Sequence, residues 1–186
     1  MTRPRQQFSR LFTSLIMAAV AIGCRGAEGP AGPAGGGTLT TVRGTGSLIL
    51  DDNVFGFVPL PGVSATVTAE QGRTTDVLIE TDGGIQVNSA FAATVCFTDV
   101  AIFIDGAQAG AARRIGVGNT PEVLFNVGTY GFSVATELQP GTHTITVQAK
   151  AITPFAAAQC YVSSGADGSD LPGRPKLQAV LNVVSF

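Results

Sequence analysis

Three cysteines, one histidine and a paired arginine are the residues whose types and spacing could do chemistry in this 186-residue chain. His143 is the sole histidine. As a general base it would need a nucleophile and an orienting acid, and no Gly-x-Ser-x-Gly or comparable motif is present. In "THTITVQAK" (142–150) it shares parity with Ile145 and Val147, so a structural position is expected and catalysis is not. Cys96 and Cys160 both lie in strand-like stretches. In an exported chain such an even pair forms a disulfide most simply, with two buried free thiols as the other possibility. A single histidine argues against a Cys/His metal centre. No metal and no cofactor is expected.

Arg113 and Arg114 fall in "DGAQAGAARRIGVGNTPE", which reads as the longest loop. Arginines on an exposed loop can anchor a ligand, or can be a solvated pair and nothing more. Asp51-Asp52-Asn53 and Asp167 with Asp170 are acidic clusters, but neither has EF-hand or repeat spacing, and turns use the same residues. Sugar platforms rely on stacked Trp or Tyr. With no Trp and two Tyr (Tyr130, Tyr161), a carbohydrate-binding module is the alternative rather than the first expectation.

Around these residues the chain divides in three. Residues 1–10 carry Arg3, Arg5 and Arg10 without an acid, and residues 11–22 ("LFTSLIMAAVAI") are mostly apolar but too short to span a bilayer. Small residues follow, completing a secretory-signal layout. The ending "AIGC" resembles the lipobox of bacterial lipoproteins, although Ala21 stands where that family prefers Leu. The resemblance implies cleavage after Gly23, lipid such as palmitate on Cys24, and a membrane as partner through that anchor. In enterobacterial members an Asp after the cysteine holds the protein at the inner membrane; Arg25 stands there instead, which points to the outer membrane or cell surface. Plain secretion with cleavage nearby is the other possibility.

Gly26, Gly29, Gly32 and Gly35 hold a period of three in residues 24–37. The tract is similar to the collagen-like stretches that follow the lipid cysteine in bacterial surface lipoproteins. Collagen places Gly at every third position because only hydrogen fits at the triple-helix axis. Four triplets are too few to form a stable triple helix alone, so an extended Pro/Gly spacer is expected, with a triple helix assisted by a trimeric head as the alternative.

From residue 38 to 186, short apolar runs alternate with Gly/Pro/Asp/Asn punctuation. Stretches 39–50, 54–60, 63–69, 74–82, 91–105, 122–127, 131–138, 142–150, 158–164 and 177–186 read as strands. Turns are expected at Asp82-Gly83-Gly84, Asp105-Gly106, Pro140-Gly141, Asp167-Gly168 and Pro172-Gly173. No stretch sustains a 3.6-residue period, which excludes βαβ folds. The expected fold is all-β, an antiparallel sandwich or jelly roll of about 8–10 strands. The last stretch is apolar on both sides, as is 100–104, so it is either central or buried between subunits.

A glycine-repeat lead-in followed by a two-sided terminal strand resembles the jelly-roll heads of the complement and tumour-necrosis-factor type. That resemblance implies a homotrimer. An outer-membrane β-barrel fits less well, since aromatic girdles are missing and several strands are short.

Composition agrees with a folded, exported head. Hydrophobic residues make up 45% and charged residues 13%. From residue 25 onward, 8 of the 11 basic residues face all 13 acids, a net of about −5. That sign, with no basic stripe, argues against nucleic acid. The expectation is a non-catalytic envelope protein, structural or adhesive, whose surface ligand the sequence does not name.

Overall fold

The computed structural model describes residues 37–50, 56–89, 95–118, 125–152, 158–163 and 177–186. Cys24, the glycine triplets, both acidic clusters and the expected turns at 167–168 and 172–173 lie outside them.

All regular structure among the described residues is β-strand. In chain order the strands are β1 (Thr38–Arg43), β2 (Leu48–Leu50), β3 (Val58–Ala69), β4 (Thr75–Ser89) and β5 (Val95–Ile104). They continue as β6 (Ala107–Gly118), β7 (Phe125–Leu138), β8 (Gly141–Ala151), β9 (Ala158–Val162) and β10 (Val180–Ser185). Every pairing is antiparallel. One sheet runs β3-β8-β5-β6. The other runs β1-β10-β4-β9-β2, with β7 on the opposite edge of β4.

The long strand β4 explains that second order. Its first half pairs with β10 and its second half with β9, while β7 follows it throughout. Strands β1 and β2 are likewise two pieces laid against β10 and β9 respectively. Counting each split strand once leaves four strands facing four, and the sequential pairing across them is that of a jelly roll.

Alternation decides which residues meet between the sheets. Ile79, Ile85, Val100, Ile102, Ile145 and Leu181 are completely buried there, each burial contributing about 1.5–3 kcal/mol. On β8 the expected division holds: Ile145, Val147 and Ala149 face inward, while Thr142 and Thr144 are exposed. The terminal strand β10 is central in its sheet, between β1 and β4, with Leu181 and Val183 buried.

Three expectations need correction. The segment after Asp105-Gly106 is no loop; it is the twelve-residue strand β6. Asp105 (φ 51°) and Gly106 (φ 82°) alone make the reversal, the positive φ at both central residues being that of a type I′ hairpin turn. Asp82-Gly83-Gly84 is no turn; β4 runs straight through it, and neither glycine has the positive φ a tight turn draws on. These glycines are required for space: a Cβ on Gly83 would come 2.6 Å from the Tyr130 hydroxyl, and one on Gly84 2.5 Å from Leu177. The stretches 54–60 and 63–69 fuse into β3, which carries a register irregularity between Pro59 and Ser64 and a positive-φ Gly62 (76°).

Candidate binding site

The cysteines are the first chemical residues the fold brings together. Cys96 on β5 and Cys160 on β9 form a disulfide with Cα atoms 6.0 Å apart. Because β5 and β9 belong to different sheets, the bond crosses the core and ties the two layers.

His143 sits at the end of the four-stranded sheet. Its Nδ1 is 2.7 Å from Asp105 Oδ2 and its Nε2 is 2.7 Å from the Gln139 carbonyl oxygen. Both partners accept, so the ring donates from both nitrogens as the imidazolium. The Gln139 carbonyl first and the Asp105 carboxylate second raise the His143 pKa above its ordinary 6.5. Asp105 also accepts from the Thr144 amide, at 2.8 Å. That bond, then the one to His143, holds the carboxyl below its ordinary 3.8. The result clips the β5–β6 turn to the β7–β8 turn.

Arg113 and Arg114 are separated. They are neighbours on β6 opposite Val100 and Asp99 of β5, and alternation sends their side chains to opposite faces. Arg114 donates from Nε to Asp99 Oδ1 (2.8 Å) and from Nη2 to Asp99 Oδ2 (3.1 Å). The Asp99 side chain is only 9% exposed and that of Arg114 61%, so a buried carboxylate is served from the rim. Arg113 is exposed.

Arg114 therefore belongs to the outer face of the four-stranded sheet. Lys150 lies opposite Asp99 in the register, and its Nζ is 4.6 Å above the Phe57 ring. Phe57 meets Phe103 edge-on at 5.1 Å between ring centroids. Further along the same face Ser64, Thr66 and Thr68 pair with Thr146, Thr144 and Thr142. The face thus grades from charged and aromatic to hydroxylated.

The second candidate is a groove of about 450 Å³ on the six-stranded sheet. Arg43, Val180 and Asp82 form one continuous row across β1, β10 and β4. Gly83, Thr129, Tyr130, Leu177 and Gln178 complete the walls. The groove lies where the split strands part, and hydrogen bonds stitch that seam. Gln178 Nε2 donates to the Gly44 carbonyl (2.8 Å), the Ala179 amide to Ser163 Oγ (3.0 Å), and the Ser163 amide to the Gly84 carbonyl (3.0 Å).

Tyr130 is 5% exposed, and its hydroxyl is the buried side-chain polar atom without a hydrogen-bond partner among the described residues. Burial, and secondarily the Asp82 charge, push its pKa up. An orphaned buried hydroxyl costs about 1–3 kcal/mol. Sequence reasoning missed this site. The available signal was parity: Val77, Ile79, Ile85 and Val87 keep one phase across Gly83-Gly84, which a turn would have broken.

Among the described residues, no group of three or more His, Cys, Asp or Glu is placed to hold a metal ion.

No family model matches this chain, and no curated protein matches it. Among solved structures, a chain of the IBDV T13 viral particle is similar at 11% identity and a TM-score of 0.34, over 86% of this chain and 41% of that one. The match thus spans about two fifths of the viral chain's length. A family 35 carbohydrate-binding module from Clostridium thermocellum is similar at 12% identity and a TM-score of 0.26, over 68% of this chain and 99% of the module.

Proposed function

We propose that this chain is a non-catalytic lipoprotein of the bacterial cell envelope, anchored through lipid on Cys24 at the outer membrane or cell surface. Residues 24–37 serve as its spacer and the jelly roll as its structural or ligand-binding head. The observation that carries this reading is the Cys96–Cys160 disulfide. Structural disulfides persist in oxidising compartments outside the cytoplasm, which agrees with the signal-like residues 1–23. The mixed charged, aromatic and hydroxyl face around Arg114, Lys150 and Phe57 offers a surface for a ligand.

The test is to express the full chain in bacteria fed labelled palmitate, beside Cys24→Ser. The parent takes up label and sediments with membranes, whereas the variant does neither. An unlabelled, soluble parent would overturn the anchor.

A homotrimer is the second reading. Leu39, Val184, Leu78 and Ala135 form one row on the outer face of the six-stranded sheet, and Leu39 and the adjoining Phe186 are 63% and 64% exposed.

A further inference from the structure

The outer faces of the two sheets differ in charge. On the six-stranded sheet Asp76, Glu80, Asp82 and Glu137 share the outer face with one cation among the described residues, Arg43. On the four-stranded sheet the balance reverses, and Arg114 and Lys150 stand on either side of a single acid, Asp99. An anion is therefore repelled from one face of the head and drawn to the other. The chain is acidic from residue 25 onward, so this cationic face runs against its composition.

The cations are held ready for a partner. Asp99 grips Arg114 through Nε (2.8 Å) and Nη2 (3.1 Å), which leaves the Nη1–Nη2 edge of a 61% exposed side chain without a partner among the described residues. Lys150 makes no ion pair among them and rests its Nζ over the Phe57 ring. The two cations rise from the strands flanking β5, about 9–10 Å apart at their bases. They can meet two carboxylates in succession or close on one.

A second observation selects the kind of anion. Phe97 shares this face and is 38% exposed. Its ring packs over Gly116 of β6, where an added Cβ would come 2.7 Å from a ring carbon. Glycine thus clears room for an exposed aromatic surface two residues from Arg114, open to C–H groups. At the other end of the face Thr66, Thr68, Thr142 and Thr144 present exposed hydroxyls in paired rows, which both donate and accept.

We infer that this face binds a carboxylated polysaccharide, a polymer of uronic acid residues, with Arg114 and Lys150 taking carboxylates and Phe97 the C–H face of a sugar ring. A planar carboxylate fits the free guanidinium edge through two parallel hydrogen bonds, and the threonine rows suit hydroxyls further along the polymer. The inference rests on the binding-head reading and supplies its ligand class; it does not depend on lipidation of Cys24.

The test uses the full chain, extracted in detergent and isotope-labelled for NMR. Trigalacturonate is titrated beside its methyl ester, the same sugar without charge. The acid is expected to give saturable shifts centred on Phe97, Arg114 and Lys150, weakening as salt is added, and the ester to bind at least tenfold more weakly. Lys150→Gln should weaken the acid about tenfold. Arg114→Gln alone would strand a buried carboxylate, so the arginine is tested as Asp99→Asn/Arg114→Gln, with a similar loss expected. Arg43→Gln on the opposite face should change nothing. Absence of shifts with the acid would overturn the inference, as would equal affinity for acid and ester. So would a Lys150→Gln protein with a native spectrum and unchanged affinity. Saturable shifts confined to the Arg43–Asp82 groove would overturn this face but leave a binding head. A palmitate-labelled protein blind to trigalacturonate would remove this inference alone.

Discussion

Cys96 and Cys160 are joined through the middle of the sandwich, one on β5 and the other on β9, so a single covalent bond fixes the spacing of the two sheets. Their 64-residue separation encloses β6, β7 and β8. In the chain-entropy account, closing a loop of that length stabilises by about 4 kcal/mol. The double variant Cys96→Ala/Cys160→Ala is therefore expected to unfold at markedly lower denaturant, and reduction of the parent should give a comparable loss. Equilibrium unfolding in urea, with and without reductant, measures both.

The His143–Asp105 clip makes stability depend on pH in two directions. The His143 pKa is raised above 6.5 by the Gln139 carbonyl and the Asp105 carboxylate. Its contribution is complete below 6.5 and declines as pH rises through the folded-state value. The Asp105 pKa is lowered below 3.8 by the Thr144 amide and by His143. Its contribution is present above 3.8 and declines as pH falls through the lowered value. Both operate together between these limits. A Tm series across pH should show a stability decrease on the alkaline side, and His143→Gln should flatten it. An unchanged profile in that variant would show that the clip contributes nothing.

Gly84 and Gly131 give a paired test of why glycine occupies these strands. At Gly84 an added methyl meets Leu177 at 2.5 Å, whereas at Gly131 the nearest atom is the Asp82 Cβ at 3.9 Å. Gly84→Ala is expected to cost about 1–3 kcal/mol through overpacking, and Gly131→Ala to be nearly neutral. Thermal unfolding of the two variants separates them. Equal losses would mean that backbone freedom, not space, governs both positions.

Ile145 is completely buried on β8, the strand that pairs with both β3 and β5. Ile145→Ala should cost about 2–5 kcal/mol, while Thr144→Ala, exposed on the opposite face, should stay within about 0.5 kcal/mol. Denaturant midpoints test the contrast, and a reversed order would contradict the assignment of faces.

The alternation in "THTITVQAK" and the tight Asp105-Gly106 turn were legible because strand faces and hairpins rest on local chemistry. The fold class followed from that repetition. Gly83-Gly84 was misread because the pressure for glycine there comes from Tyr130 and Leu177, which are distant in sequence. Arg114 was misread as a loop residue for a related reason: β6 is an edge strand rich in Ala and Gly, and its core contacts are few, Val117 buried with Ala109 and Ile115 packed beside the core. Its partner Asp99 could be assigned only once the β5–β6 register was known. The groove was invisible for the same cause, since Arg43, Asp82 and Thr129 converge only through pairing across β1, β10, β4 and β7.

The most direct test of an exported, lipid-held, disulfide-clamped head examines all three cysteines at once. Cells producing the full chain would be lysed into an alkylating agent without reductant, and the peptides mapped by mass spectrometry. The account predicts an amino-terminal peptide beginning at Cys24 and bearing lipid, together with a Cys96–Cys160 cross-linked peptide free of alkylation. Alkylated Cys96 and Cys160, with Cys24 unmodified inside a longer peptide, would contradict it.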